Sequence, residues 1–282
     1  MKFALSVPSV REYGDPRLLI QLARSAEDAG WDGFFLWDHL AYHQREAPVA
    51  DPWTTLAVVG AVTHSIRVGI MVTALARRRP WKVAREAATL DVITGGRLLF
   101  GAGLGSIDHG EFGAFGEDSD RKVRGQKVDE GLDIIAGLWT GEPFSYEGRH
   151  YHVEEAVFRP TPVQRPRIPI WVAGRWPNRA PFRRAARWDG VFPTHAEYGF
   201  DQVVPPDELG RIVGYSLDFR PADAGPYDVV MQGITPLEGD RAGEVVAPYE
   251  PVGLTWWVER IGWFRGTVQE MRARIDAGPP RP

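Results

Sequence analysis

Trp37, Asp38 and His39 stand side by side at the end of GFFLWDHL, residues 33 to 40, a stretch that begins as an apolar run. An imidazole can donate or accept a proton near neutral pH, an adjacent carboxylate can fix its tautomer, and an indole can stack on a planar ligand. Core packing requires none of these three side chains. We therefore predict a site in which His39 and Asp38 are catalytic and Trp37 contacts a bound ligand.

A glycine-rich stretch, GAGLGS, occupies residues 101 to 106 and also follows an apolar run. Because glycine has no side chain, Gly103 and Gly105 allow the backbone to approach another group closely. Ser106 stands where a dinucleotide-binding fingerprint requires its third glycine, so that fingerprint is rejected. We predict that Gly103 and Gly105 lie in the same ligand site as His39.

A third stretch, IPIWVAGRWPNRA, covers residues 168 to 180 and reads as a strand, a turn and the start of a helix. The turn contains Gly174, Arg175, Trp176 and Asn178. The first N–H groups of a helix have no partner within the helix, so such a turn can hold a single phosphate. We predict that these four residues bind the anionic part of a ligand.

These three stretches belong to a regular alternation of strands and helices. Most of the strands are apolar without a two-residue period, as in a parallel sheet that is covered on both faces. The eight predicted strands are Phe3–Val7, Gly33–Trp37, Ile66–Val72, Arg97–Gly101, Ile168–Val172, Asp189–Phe192, Asp228–Gly233 and Gly253–Trp257. Helices are predicted to start at Asp15-Pro16, Asp51-Pro52 and Pro80, to end before Gly141, and to span Asn178–Trp188, Pro206–Phe219 and Gly266–Ala277, with Glu238–Pro251 as a connection.

Eight strands that alternate with helices predict an α/β fold, the (β/α)₈ TIM barrel, with a doubly wound sheet as the alternative. Active sites of such barrels lie at the carboxyl ends of the strands, where Trp37, the glycine-rich stretch and the Gly174 turn would meet. Residues 141–167 are too long for a simple connection and read as a hairpin with a proline-rich return. This insertion has too few apolar residues for its own core, so we predict a single domain over residues 1–282.

Composition limits the classes of partner. The 282 residues include no cysteine and carry a net charge of −4, which excludes disulfides, thiolate metal sites and the basic surface typical of nucleic-acid binding. No run approaches the roughly 20 apolar residues that span a membrane, and the N-terminus lacks a signal-peptide pattern. His150 and His152 lack a third ligand, so no metal site is predicted. We expect a cytoplasmic protein that acts on a small molecule.

The chain resembles the bacterial luciferase-like flavin monooxygenases and the related coenzyme F420-dependent oxidoreductases over nearly its whole length. The resemblance rests on AEDAGWDGFFLWDHL, RPWKVAREAATLDVITGGRLLFGAGLG, EGLDIIAGLWTGEPFSYEGRHYHV, RPRIPIWVAG and RAARWDGVFP. It implies a TIM barrel that holds reduced FMN or F420 at the strand ends and catalyses hydride transfer or oxygen insertion on a small organic substrate. It also implies a homodimer and a separate flavin or F420 reductase.

The resemblance assigns roles to particular residues. His39 is implied to be the active-site histidine beside the cofactor ring, and the Gly174 turn to hold the cofactor phosphate. Met71, Val72 and Thr73, at the end of the third strand, are implied to form a bulge behind the ring. In this family such a bulge often contains a non-proline cis peptide.

One position departs from a branch of the family. Sugar-phosphate dehydrogenases that use F420 place a glutamate just after the glycine-rich fourth strand, where this chain has Ser106. Asp108 and Glu111 lie nearby but do not match that position, so the sugar-phosphate reaction is disfavoured. The alternative to an enzyme is a non-catalytic flavin-binding homologue, and an intact His39 favours the enzyme.

The choice of cofactor rests on ALARRRPW, residues 74 to 81. F420 carries an acidic polyglutamyl tail that FMN lacks. We predict that Arg77, Arg78 and Arg79 lie on the mouth side of the barrel and favour tailed F420, with FMN kept open.

Overall fold

Eight parallel strands close into a barrel in this computed structural model, which describes residues 1–42, 46–108, 110–199, 202–236 and 240–280. The barrel strands are β1 (Lys2–Val7), β2 (Gly33–Leu36), β3 (Arg67–Ala74), β4 (Leu98–Gly103), β7 (Ile170–Trp176), β8 (Gly190–His195), β9 (Asp228–Gly233) and β10 (Trp256–Arg260). Their order around the barrel is β1-β10-β9-β8-β7-β4-β3-β2. The (β/α)₈ prediction is confirmed, and the doubly wound alternative is wrong.

The helices lie outside this barrel, and the first three begin at the predicted signals Asp15-Pro16, Asp51-Pro52 and Pro80. They are α1 (Pro16–Asp28), α2 (Pro52–Val62), α3 (Pro80–Thr94), α4 (Arg121–Leu138), α5 (Ala180–Ala185), α6 (Pro206–Leu217), α7 (Asp240–Val246) and α8 (Val268–Asp276). Asp15 accepts a hydrogen bond from the backbone N–H of Arg17, and Asp51 accepts one from Thr54. Both aspartates precede a proline, whose missing N–H costs nothing in the first turn.

Several predicted boundaries are wrong. The strands β7 and β8 extend to Trp176 and His195, beyond the predicted ends at Val172 and Phe192. Residues 240–252 are not an irregular connection, because α7 and a 3₁₀ turn (Ala247–Val252) bury an apolar stripe that includes Ala242 and Val246. Glu238, where that predicted connection began, lies outside the described residues. The last strand lies three residues later than predicted. Its final residues, Glu259 and Arg260, are charged and were expected to be exposed, but both are buried. Helix α5 is shorter than the predicted Asn178–Trp188.

The predicted hairpin is confirmed as the antiparallel pair β5 (Phe144–Glu147) and β6 (His152–Ala156), between α4 and β7. Glu130 of α4 accepts hydrogen bonds from the backbone N–H groups of residues 149 to 151 and so holds the hairpin turn. His150 lies in this turn and not on a strand, and its ring contacts Gln126. Within the described ranges, no His, Cys, Asp and Glu side chains group to hold a metal ion.

Large side chains fill the barrel interior. Phe35, Trp171 and Trp256 contact one another, with ring centroids 5.3 to 6.2 Å apart and edge-to-face geometry. The Trp171 indole N–H donates to Asp228, which satisfies its polar atom. The barrel is therefore a packed core, as is usual for this fold. Over the described ranges, no helix has the length and apolar character needed to cross a membrane.

Candidate active site

A cavity of about 940 Å³ opens at the carboxyl ends of the barrel strands. This volume is large enough for a cofactor and a small substrate together. Ten of the twelve residues predicted for the site line it: Trp37, Asp38, His39, Met71, Val72, Gly103, Gly105, Gly174, Arg175 and Asn178. The three separate stretches of the sequence therefore meet at one cavity.

Thr73 and Trp176 are the two predicted residues outside the lining of this cavity. Thr73 is fully buried within β3. The Trp176 indole is buried against the rings of Phe182 and Tyr215, at 5.4 and 5.6 Å. The structure thus gives Trp176 a packing position against α5 and α6, and its predicted ligand contact stays a prediction.

The end of β3 forms the bulge that the resemblance implied. The pairing of β3 with β4 shifts register between Ile70 and Thr73, and the Met71–Val72 peptide bond is cis. Glycines of β4 make this bulge possible. A Cβ atom at Gly101 would lie 2.3 Å from the carbonyl oxygen of Ile70, and one at Gly103 would lie 2.5 Å from the Val72 Cγ2 atom. The group that the glycine-rich stretch lets approach is therefore the neighbouring strand.

His39 has its carboxylate partner far along the chain. Its Nδ1 atom lies 3.1 Å from Oε1 of Glu111, and the same oxygen accepts hydrogen bonds from the backbone N–H groups of Leu40 and Ala41, at 2.6 and 3.1 Å. Burial alone would raise the pKa of Glu111, but the hydrogen bond from His39, the N–H of Ala41 and the charge of Arg77 lower it overall. Glu111 is thus an ionised carboxylate that fixes the His39 ring.

Asp38 is not the carboxylate that holds the His39 ring, since Glu111 occupies that position. The Asp38 carboxylate accepts hydrogen bonds from the Ala74 N–H at 2.9 Å and from Arg78 Nε and Nη2 at 3.0 and 2.6 Å. Arg77 Nη2 donates to it as well, at 3.1 Å. Burial would raise the pKa of Asp38, but the two arginines lower it overall. Asp38 therefore fastens the loop after β3 to the end of β2, and its predicted catalytic role stays a prediction.

The same contacts correct the prediction for the arginine run. The side chains of Arg77 and Arg78 are engaged with Asp38 and are largely buried, so they do not form a free cationic surface at the mouth. Of the three, only Arg79 is exposed. Arg77 and Arg78 were therefore wrongly predicted to contact the acidic tail of F420.

Other cations line the cavity instead. Arg121 and Arg124, from the first turns of α4, lie in its wall together with Arg175. Arg124 is buried, its Nη1 donates to the carbonyl of Gly105 at 2.8 Å, and its Nε has no hydrogen-bond partner within the described chain. Neither α4 arginine was predicted from the sequence, because charged residues near a helix start read as solvent-exposed.

Gly174 is constrained by packing. A Cβ atom there would lie 2.9 Å from both the Phe182 ring and the Pro181 Cβ, so a side chain would push α5 away from β7. A bulky substitution at Gly174 should therefore disturb the fold as well as any bound ligand. Gly174, Arg175 and Trp176 lie within β7 and not in a turn, so that part of the prediction is wrong, and of the four residues only Asn178 lies between β7 and α5. Their predicted phosphate contact stays a prediction.

A closed barrel with a bulged third strand and a histidine at the end of the second strand matches the class implied by the sequence. A family model for luciferase-like monooxygenases matches residues 1–205, and the chain belongs to this family.

Two relatives and one solved structure show its range. The chain is 34% identical over 174 residues to an F420-dependent glucose-6-phosphate dehydrogenase from Microbacterium testaceum, covering 60% of this chain and 50% of that protein. It is 30% identical over 164 residues to the oxygenase component of a flavin-dependent trigonelline monooxygenase from Acinetobacter baylyi, covering 58% and 44%. The chain thus spans half or less of the length of these relatives.

The fold is also similar to that of an F420-dependent secondary alcohol dehydrogenase, solved in complex with an F420–acetone adduct. The TM-score is 0.77 at 14% identity, and the alignment covers 98% of this chain and 96% of that one. At this identity the similarity concerns the fold alone.

Proposed function

We propose that the chain is an oxidoreductase that uses reduced F420 or FMN to transfer hydride to a small organic molecule or, with dioxygen as co-substrate, to insert an oxygen atom into it. One observation carries this proposal: the His39–Glu111 pair stands at a cavity that has a bulged strand in its wall and a cluster of arginines. The non-catalytic alternative gives no reason for a buried carboxylate aimed at the His39 ring.

The residues of the cavity fit a planar ring that carries a phosphate. Val72, Gly103 and Ala173 provide small or absent side chains on three adjacent strands, where a flat ring can lie. Arg121, Arg124 and Arg175 provide positive charge for the phosphate. When bound, the cofactor would supply the electrons of the reaction.

The protein's own contribution is proton transfer and positioning. If Nδ1–H of His39 donates to Glu111, the neutral ring carries its lone pair on Nε2. His39 can then accept a proton at Nε2, and donate it once the ring is protonated, while Glu111 keeps the ring in one orientation. Such a positioned acid or base contributes about 10²- to 10⁴-fold to a rate.

Cofactor titrations test the proposal. We expect F420 or FMN to bind, as measured by fluorescence, and the reoxidation of the reduced cofactor to accelerate when a substrate is added. Tailed F420 and its tail-less precursor are compared at low and high salt, since an electrostatic contribution from the tail weakens as salt increases. A protein that binds neither cofactor would contradict the proposal. Binding without acceleration by any member of a broad substrate panel would favour the non-catalytic alternative.

We also propose that the chain forms a homodimer through α2 and α3. Helix α2 is apolar around most of its circumference, as expected for a helix buried on more than one side. Yet Val58 of α2 and Val92 and Ile93 of α3 are each 44 to 45% exposed, and α2 packs closely on α3 at Gly60. A single domain over residues 1–282, a separate flavin or F420 reductase and a cytoplasmic location are further parts of this proposal.

A further inference from the structure

The two halves of the cavity wall differ in chemistry. The barrel order places β3, β4 and β7 side by side, and it places β2, β1 and β10 side by side on the other half. The first half includes the bulge and Arg175, with Arg121 and Arg124 in the helix after β4. The second half carries four aromatic side chains at the ends of β2 and β10: Trp37, Tyr42, Trp263 and Phe264. We call these four residues the aromatic end.

The rings of the aromatic end contact one another. Trp37 and Phe264 are nearly parallel, at 7° with centroids 6.5 Å apart, while Trp263 meets Trp37 edge-to-face at 6.0 Å. Tyr42 meets Trp263 edge-to-face at 5.8 Å and meets His39 at 5.4 Å. The aromatic end therefore forms a continuous wall that reaches the ring of His39.

Polar contacts behind these rings hold them in place. The Trp37 indole N–H donates to the hydroxyl of Ser6 at 2.8 Å, and the Arg11 guanidinium lies 4.9 Å from the centre of the Trp263 ring. Arg265, next in sequence to Phe264, donates to the buried carboxylate of Glu259 at 2.5 Å and to the Arg260 carbonyl at 2.6 Å. A binding surface that is fixed before the ligand arrives loses less conformational entropy on binding.

Charge at the aromatic end is balanced within the protein. Asp38 is the acidic side chain nearest in sequence, and its carboxylate is neutralised by Arg77 and Arg78. The positive charges that line the cavity belong to the opposite half. Among the described residues that line this half of the cavity, the only charged side chain is the neutralised Asp38, so a charged substrate group placed there would lose hydration at a cost.

We propose that the aromatic end binds a neutral aromatic ring of the substrate and presents it to His39. This inference rests on the proposed function for the role of His39, but the binding itself needs no turnover. Aromatic rings pack favourably face-to-face with an offset or edge-to-face. The rings of the wall already pack on one another in both ways, since Trp37 is parallel to Phe264 and edge-to-face with Trp263.

The test uses the full chain saturated with oxidised F420 or FMN and measures binding by isothermal titration calorimetry. The probes are 2-naphthol, its saturated analogue decahydro-2-naphthol, and glucose 6-phosphate. We expect 2-naphthol to bind at least about tenfold more tightly than the other two, a difference of about 1.4 kcal/mol. Equal affinity for 2-naphthol and its saturated analogue would overturn the proposal, and so would competition between 2-naphthol and the cofactor.

Variants locate the binding. We expect Phe264→Ala and Trp263→Leu each to weaken 2-naphthol binding about tenfold, since each removes one ring while the leucine keeps its position apolar. Phe219→Ala is the matched control: Phe219 is 48% exposed, packs on Tyr215 and lies outside the cavity lining. Unchanged binding by both test variants would overturn the proposal. If the protein binds no cofactor but binds 2-naphthol in a way that depends on Trp263, the proposed function fails and the proposal for the aromatic end stands.

Discussion

His39 and Glu111 are 72 residues apart in the chain and 3.1 Å apart at the ring nitrogen. The neighbouring Asp38 was the obvious carboxylate from the sequence, but consecutive residues at a strand end point in different directions. Asp38 turns towards the loop after β3 and Glu111 reaches back to His39. The chemistry of this site therefore depends on a contact that no local motif contains.

Removal of the imidazole should affect turnover more than binding. We predict that His39→Ala binds cofactor within a few-fold of the parent and lowers kcat by about 10²-fold or more, the contribution of a positioned acid or base. Cofactor titration and steady-state rates measure the two effects. An unchanged kcat would show that His39 lines the cavity without taking part in the reaction.

Glu111 should act through His39. We predict that Glu111→Gln lowers kcat about tenfold in the parent and has little effect in the His39→Ala background, because residues that act as a unit are not additive. The double-mutant cycle on kcat is the measurement, with cofactor affinity as the control. Equal effects of Glu111→Gln in both backgrounds would show that it acts independently of His39.

At the scale of elements, the bulge of β3 and the glycines of β4 form one feature. We predict that Gly103→Ala lowers the free energy of unfolding by about 1–3 kcal/mol, because its Cβ would collide with Val72 Cγ2. It should also weaken cofactor binding about tenfold, since a shift of Val72 moves the wall where the ring lies.

Gly103→Ala has a matched control, Gly214→Ala, and a second substitution, Val72→Ala, that should restore its stability. Gly214→Ala, on the exposed face of α6 with nothing within 4 Å of its added Cβ, should be neutral or stabilising. Val72→Ala removes the colliding methyl group and should restore stability to Gly103→Ala. A Gly103→Ala protein as stable as the parent would contradict this account of the glycine-rich strand.

A second element-scale prediction concerns Glu27 near the end of α1, whose carboxylate accepts hydrogen bonds from the N–H groups of His64, Ser65 and Ile66. Burial would raise its pKa, but these donors lower it from 4.5 to about 2. Because the pKa is lower in the folded state, the contribution to stability is present above about pH 4.5 and is lost as the pH falls towards 2.

We therefore predict that Glu27→Gln destabilises the protein by about 1 kcal/mol at neutral pH and that the difference from the parent shrinks as the pH falls below about 4.5. Urea unfolding over this pH range is the measurement. Glu142→Gln, an exposed carboxylate in the insertion, is the matched control. If the difference in the free energy of unfolding between the parent and Glu27→Gln stays constant with pH, ionisation of Glu27 does not contribute to stability.

Helices and strands were predicted from the sequence more accurately than contacts between residues that are distant in the chain. Strands such as Gly33–Trp37 were found because an apolar run between turn residues is local information, and α1 was found because Asp15-Pro16 signals a helix start. The final strand was displaced because Glu259 and Arg260 are charged yet buried, a condition that depends on Arg265 and on the fold. Arg77, Arg121 and Arg124 show the same limit, since only the fold decides which arginines face the cavity.

At the scale of the whole molecule, the apolar patch on α2 and α3 should determine the oligomeric state. We predict that the parent sediments at twice the mass of the 31.5 kDa chain and that Val58→Lys or Val92→Lys shifts it to the monomer, because a charge in an apolar interface loses its hydration. Val157→Lys, at a similarly exposed valine beside the hairpin, is the control. A parent that sediments as a monomer would contradict the dimer.

The close fit between Val72 and Gly103 has a consequence for how such chains can diverge. A lineage that keeps the bulge loses stability if it gains a side chain at position 103 in a single step, because the intermediate carries the collision described above. Substitution there must follow, or accompany, a reduction in size at position 72. The two positions should therefore change together among descendants of this sequence, whereas Gly214, which touches nothing, is free to drift.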